Sequence, residues 1–182
     1  RSRAEEPWWS NIIMVLGIIG DPRAVSPLIA LTQTDATRVS AARFSAITVA
    51  PLALGYLVNK SGDARARKWL EEGVDEKRWG TRRGRWKSPS HRTEEARNAY
   101  LSRLSVLGLS VTGLDNAALV IRTFCARATG RSESERRMRD TCDVGLKEHA
   151  KIKRTGLKRY RRDIVRRRKL REQRATPVRA PR

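Results

Sequence analysis

A short turn between two apolar helical segments recurs along the chain, and it constrains the fold more than any other feature. In Gly20-Asp21-Pro22-Arg23 the glycine can close one helix, the aspartate can cap the next, and the proline suits a first turn. Apolar residues flank this turn at the i, i+3, i+4 spacing of buried helical faces: Ile12, Val15, Leu16 and Ile19 before it, and Val25, Leu28 and Ile29 after it. The segment therefore predicts two helices packed as an antiparallel hairpin.

The same pattern appears twice more. Leu54-Gly55 is followed by the turn at 62–65 and then by Ala66, Trp69, Leu70 and Gly73. Leu107-Gly108 is followed by the turn at 113–116 and then by Ala117, Val120, Ile121 and Phe124. The three Leu-Gly pairs are 38 and 53 residues apart, and the first interval is near the ~40 to 47 residues of HEAT and armadillo repeats. We therefore predict three stacked hairpins with an insertion before the third.

These segments resemble the HEAT-like repeat of the phycobilisome-lyase type. The match is close in "VLGIIGDPRAVSPLIAL" (15–31), weaker in "ALGYLVNKSGDARARKWLEEG" (53–73) and weaker again in "VLGLSVTGLDNAALVI" (106–121). The resemblance spans about residues 10–127. It implies a right-handed stack of helix pairs whose concave side binds a partner, in a class that generally lacks catalytic residues. The expected fold is all-α, a short α-solenoid of about three hairpins with a basic C-terminal helix or tail.

The domain organisation follows from composition. Residues 1–130 are predicted to form the repeat array, with an exposed basic loop at 74–91 that glycine, proline and serine keep from being helical. Residues 131–174 are predicted to form a charged helix, opened by a capping box at Ser132 and Glu135, whose first part packs on the array. Gly145 and Gly156 weaken its continuity. Residues 175–182 are expected to be a disordered tail, and Pro51 should bend its helix near Val49.

The formal net charge of +21 is concentrated in two places. Residues 76–92 carry 7 basic and 1 acidic side chains, and residues 151–182 carry 15 and 2, whereas the rest of the chain is nearly neutral. Such segments favour polyanions, either nucleic acid or an anionic membrane surface, although an inert solvated tail has the same composition. The longest uncharged apolar stretch, at 44–58, has 15 residues where a membrane span needs about 20, so no transmembrane helix is predicted.

Two sets of residues are candidates for nucleic-acid binding. In the tail, cations that surround Tyr160 could bind phosphates through charge and counterion release: Lys158, Arg159, Arg161, Arg162, Arg166, Arg167, Arg168 and Lys169. In the loop, arginines alternate with tryptophan and could hold phosphate while a ring stacks on a base: Arg78, Arg82, Arg83, Arg85 and Trp86. The alternative, which we favour for Trp79 and Trp86, is that both rings dock onto neighbouring helices.

No catalytic, cofactor-binding or metal-binding residue is predicted. Cys125, Cys142 and His149 lack the close ligand pair of a zinc site, and two buried thiols are favoured over a Cys125–Cys142 disulfide. Neither His91 nor His149 belongs to a nucleophile motif. The Arg1 start is that of a processed chain or an excised domain, and both a cytoplasmic and an exported protein fit the composition.

The prediction for function is a non-catalytic scaffold that binds a protein partner. The alternative is a helical-repeat protein that binds RNA or DNA through the basic loop and tail. An enzyme ranks last: phycobilisome lyases and alkylpurine DNA glycosylases use related repeats, but no residue here can be carried over as catalytic.

Overall fold

The computed structural model describes residues 9–33, 39–82 and 89–175, and within these ranges every regular element is a helix. The all-α prediction is confirmed. The described residues form nine α-helices, and a 3₁₀ turn at Pro22–Ala24 precedes the second of them. The helices are α1 (Trp9–Ile19), α2 (Val25–Thr32), α3 (Ala41–Ser61), α4 (Ala64–Gly73), α5 (Glu76–Arg82), α6 (Glu94–Ser110), α7 (Asp115–Cys125), α8 (Glu133–Thr155) and α9 (Leu157–Ala175).

The three predicted turns are present, between α1 and α2, α3 and α4, and α6 and α7. Each contains a glycine with φ near +70°: Gly20, Gly62 and Gly113. After the first two glycines an aspartate caps the next helix, as the sequence predicted. The Asp21 carboxylate accepts from the Arg23 amide, and that of Asp63 accepts from the amides of Arg65 and Ala66. These bonds satisfy amide hydrogens that the first turn of a helix leaves without partners.

The first helices of successive hairpins stack on one another, so that α3 packs against both α1 and α6, and α6 packs against α8. Glycines bring these helices close together. A Cβ atom at Gly55 of α3 would overlap the carbonyl oxygen of Gly108 in α6, and one at Gly17 of α1 would overlap the backbone of Ala53. The glycines of the three Leu-Gly pairs are therefore the points of closest helix contact.

Helix α3 forms the centre of the core. Its buried residues include Ile47, Ala50, Leu54 and Leu57, and it continues through Pro51 as one α-helix. The bend expected near Val49 stays a prediction. By length and composition alone α3 is apolar enough to cross a membrane, although its uncharged stretch at 44–58 is shorter than a membrane span. However, 61% of its most apolar window is buried inside the protein, so the role of a core helix accounts for its hydropathy.

The buried face of α1 differs from the predicted one. Ile12, Val15 and Ile19 are exposed, whereas Ile13 and Gly17 are buried and Leu16 is partly buried against the core. The reason is the close approach at Gly17, which turns the small side of the helix toward α3 and the bulky stripe away from it. The prediction that Ile12, Val15 and Ile19 belong to a buried face was therefore wrong.

The segment 74–91 is not wholly a loop. Residues Glu76–Arg82 form α5, which packs on α4 and α6. Trp79 is buried, donates its indole N–H to the Gly73 carbonyl at 2.7 Å, and meets the Trp69 ring edge-on at 5.5 Å. The prediction that this ring docks onto neighbouring helices is confirmed. Residues 83–88, including Trp86, lie outside the described residues.

The charged C-terminal segment forms two helices. The predicted capping box at Ser132 and Glu135 opens α8, which continues through Gly145 and ends at Gly156, where φ is +75°. Burial extends further along the segment than predicted, because Ile152 and Tyr160 are both buried. Helices α8 and α9 thus form a fourth pair after the three expected hairpins, joined by a glycine with a φ like those of the earlier turns.

Cys125 at the end of α7 and Cys142 in α8 are joined in a disulfide, with their Cα atoms 6.3 Å apart. The sequence favoured two free buried thiols, and that expectation was wrong. Helix α8 packs on both α6 and α7, and this packing brings the two thiols together. The bond links the third helix pair covalently to the fourth.

Candidate functional site

A buried tyrosine positions the basic helix α9. Tyr160 packs with Tyr56 of α3, Val111 after α6 and Ile152 of α8, in a cluster separate from the main core. Burial, followed by a hydrogen bond with Glu148, raises the pKa of the Tyr160 hydroxyl far above its usual value. This ring is therefore an anchor for α9 and is not available to stack on a base.

The exposed side of α9 carries a stripe of cations. Lys158, Arg162 and Arg166 recur at intervals of four residues, so they lie on one face of the helix, and Arg159 lies beside them. Their stripe is about 12 Å long, because a helix rises 1.5 Å per residue. All four are exposed, as is Arg167. Like charges at this spacing destabilise an isolated helix, so packing against α8 and the Tyr160 cluster must offset their repulsion.

Few neighbouring groups neutralise this stripe. Asp163 is the one acidic residue among the described side chains of α9, and its carboxylate is 3.4 Å from the ammonium group of Lys151 in α8. Arg161 lies over the Tyr56 ring, 5.9 Å from its centroid, and is half-buried. The structure thus separates the predicted tail cations into an exposed stripe and one residue that takes part in packing. Arg168 and Lys169 lie on α9, but their side chains are outside the described part.

The basic loop is a separate location. Arg78 of α5 lines a groove between α4 and α7, together with Glu71, Glu72 and Asp75, so this groove also contains carboxylates. None of the residues that line this groove belongs to α9. Arg82 ends α5, and its side chain is outside the described residues, as are Arg83, Arg85 and Trp86. Of this candidate set, Arg78 is the member that the structure locates, and it does not join the α9 stripe.

The groove between α4 and α7 was not found from the sequence. Its volume is about 580 Å³, and its floor contains Val74, Val120 and Phe124. Leu119 stands at its edge with 65% of its surface exposed. Charged residues of both signs also line the groove, the cations Lys68, Arg78 and Arg127 and the carboxylates Glu71, Glu72 and Asp75. The sequence signal for this groove was Leu119, an apolar residue of α7 outside the predicted buried set. Periodicity alone does not show between which helices a groove forms.

Both histidines take part in packing. His149 makes a 2.9 Å hydrogen bond through Nε2 with the Leu114 carbonyl, at the start of α7. His91 lies in a cluster of three rings, with its centroid 4.8 Å from that of Tyr100 and 5.6 Å from that of Phe44. Burial lowers the pKa of His91, and the charges of Arg103 and Arg97 lower it further. Within the described residues, no three His, Cys, Asp or Glu side chains are grouped so that they could hold a metal ion.

No family model matches this chain, and neither a curated protein nor a solved structure matches it. The resemblance to HEAT-like repeats therefore remains a prediction that rests on residues 15–31 and the two weaker segments.

Proposed function

We propose that this chain is a non-catalytic binding module in which a stack of helical hairpins presents α9 to the phosphate backbone of a nucleic acid. The observation that carries the proposal is the exposed stripe of Lys158, Arg159, Arg162 and Arg166 on a helix that Tyr160 anchors to the array. A cationic helix that is held in place loses less conformational freedom on binding than a free tail does.

The chemistry favours the backbone over the bases. Guanidinium groups bind phosphate oxygens in a bidentate manner and release condensed counterions, which makes affinity depend strongly on salt. The described rings that lie within the two basic segments, Tyr160 and Trp79, are buried in packing. We therefore expect binding with little sequence preference.

Fluorescence anisotropy with labelled duplex DNA and RNA over a salt series tests the proposal. The full chain should bind, with a log–log salt slope that corresponds to about four phosphate contacts. Replacing the five exposed cations among the described side chains of α9 with glutamine should weaken binding at low salt by a hundredfold or more and flatten the slope: Lys158, Arg159, Arg162, Arg166 and Arg167.

A matched variant separates this site from net charge alone. Five exposed cations elsewhere on the array are replaced with glutamine, so that the total charge changes equally: Arg43, Arg92, Arg122, Arg136 and Lys147. This variant should retain most of the affinity. Equal losses in both variants would indicate attraction by overall charge, and the proposal would then be wrong. Binding to anionic vesicles without binding to nucleic acid would also contradict it.

The groove between α4 and α7 favours a second function, the protein-binding scaffold that the sequence first suggested. Leu119 and Phe124 offer apolar surface inside a rim of mixed charge, which is typical of a site for a peptide or helix. Peptides selected from a random displayed library against the full chain should lose binding to a Leu119→Asp variant, and the folded array should remain because Leu119 is exposed. Peptides that bind both proteins equally would place the interaction elsewhere.

A further inference from the structure

The first hairpin leaves an uncharged apolar surface at one end of the stack. Ile12, Val15 and Ile19 are 39%, 50% and 54% exposed. On the helical wheel of α1 they lie opposite Gly17, which contacts α3. Between Trp9 and Gln33 the charged residues are Asp21 and Arg23, which pair with each other at the turn at 2.7 Å.

The other end of the stack has a different surface. The exposed residues of α8 are charged or polar, except Val144 and Ala150. Terminal units of stacked helical arrays need polar outer faces to remain soluble, and α8 has the composition of such a unit. Helix α1 instead resembles α3, an interior helix, in its apolar composition, and it carries no charged residue of its own. Within the described residues, the α8 end of the array therefore has a polar surface suited to solvent. The α1 end has an apolar surface of the kind that is usually buried between helices.

We propose that the outward face of α1 binds the same face of a second copy of this chain. Two copies related by a two-fold axis would pack α1 on α1 through the side chains of Ile12, Val15 and Ile19. The contact would be isologous, so association would stop at a dimer, because the α8 end offers no matching surface. Because each copy carries a net charge of +21, two copies repel each other least where they meet through an uncharged face. A contact at a more basic surface would place like charges together.

The size of the face limits the affinity. Helix α1 has 11 residues and is about 16 Å long, whereas a specific interface of standard size buries about 800 Å² on each partner. Pro27 and Ala30 of α2 are also exposed and uncharged. We therefore expect a weak dimer whose population changes with protein concentration.

Analytical ultracentrifugation of the full chain, freed of nucleic acid, tests this inference. Measured in high salt, which suppresses bridging by polyanions and strengthens apolar contacts, the mass should rise from one chain toward two with concentration. Val15→Asp should weaken the dimer by about tenfold or more. Val144→Asp is the matched control, since Val144 has the same exposure on α8, and it should leave the dimer unchanged. A single-chain mass throughout, or an equal effect of both variants, would overturn the proposal.

A cysteine pair reports on proximity without introducing a charge. Because Cys125 and Cys142 are bonded to each other, Ile19→Cys adds a separate thiol to each copy. A short bis-maleimide should crosslink two Ile19→Cys chains and should not crosslink two Val144→Cys chains. Crosslinking at Val144 rather than at Ile19 would place the contact at the other end of the stack, contrary to the proposal.

Discussion

The contact between α3 and α6 depends on two glycines, Gly55 and Gly108. Because a methyl group at Gly55 would overlap the Gly108 carbonyl and also meet Val111, Gly55→Ala should lower the free energy of unfolding by about 1 to 3 kcal/mol. Chemical denaturation followed by circular dichroism measures the change.

Gly145→Ala in α8 is the control for this substitution. Its Cβ would meet a methyl carbon of Val106 at 3.4 Å, which is ordinary contact, and alanine favours a helix over glycine by about 1 kcal/mol. This variant should be neutral or slightly more stable. If both alanine variants lost stability equally, helix stacking through Gly55 would not be the cause.

His91 couples the stability of its ring cluster to pH. Its pKa is lowered in the folded chain, chiefly by burial, so the unfolded chain takes up a proton at a higher pH than the folded chain does. The contribution is fully present above the unfolded pKa of about 6.5, and it is lost as the pH falls toward the folded pKa.

The free energy of unfolding should therefore decrease as the pH is lowered from about 7.5 to 5. His91→Phe, which retains a ring beside Phe44 and Tyr100, should show a smaller decrease over the same range. Denaturation at several pH values gives both curves, and their difference removes the contribution of the groups that both chains share. Parallel curves would show that His91 does not titrate differently in the two states.

Residue spacing predicted which helices are amphipathic but not always the direction that each face takes. In α1 the apolar stripe at Ile12, Val15 and Ile19 satisfied the periodicity of a buried face, yet α3 approaches the other side, at Gly17. Apolar side chains indicate favourable burial, whereas small residues determine how closely two backbones approach. In α4 both signals coincide, so the predicted residues Ala66, Trp69, Leu70 and Gly73 are all buried.

At the scale of elements, the disulfide attaches the fourth helix pair to the third. Cys125 and Cys142 are 17 residues apart, and closing a loop of that size in the unfolded chain stabilises the folded state by about 3 kcal/mol. Adding a reductant should lower the thermal midpoint by several degrees. A Cys125→Ala, Cys142→Ala chain should show no response to the reductant, and an equal response would indicate a different cause.

The sequence predicted turns between helices better than it predicted the short helix α5. Aspartates after Gly20 and Gly62 identify caps through local hydrogen bonds, which need no knowledge of the fold. Helix α5 contains Gly80 and lies in a basic segment, and it is held by tertiary contacts such as that of Trp79 with Gly73 and Trp69. Its location, and that of the groove beside it, depend on how α4, α6 and α7 pack. The spacing of residues within one segment does not contain this information.

At the scale of the whole molecule, net charge opposes compactness. A charge of +21 on 182 residues repels itself, and salt screens that repulsion over distances beyond about 10 Å at 0.1 M. Raising sodium chloride from about 10 to 200 mM should therefore raise the thermal midpoint by a few degrees. The variant with five glutamines in α9 should show a smaller rise. A midpoint that falls with salt would mean that attractive ion pairs dominate over the repulsion.

The bond between Cys125 and Cys142 also changes what a cut in the chain can do. The segment that joins α7 to α8 contains the exposed residues Arg127 and Arg131, which a trypsin-like protease can reach. Both lie inside the covalent ring that the disulfide closes, so cleavage after either residue opens the ring but leaves the two pieces tied together. After a cut between Cys125 and Cys142, the basic helix α9 would stay covalently linked to the array. Reduction of the disulfide in addition to that cut would release the C-terminal piece as a separate polypeptide.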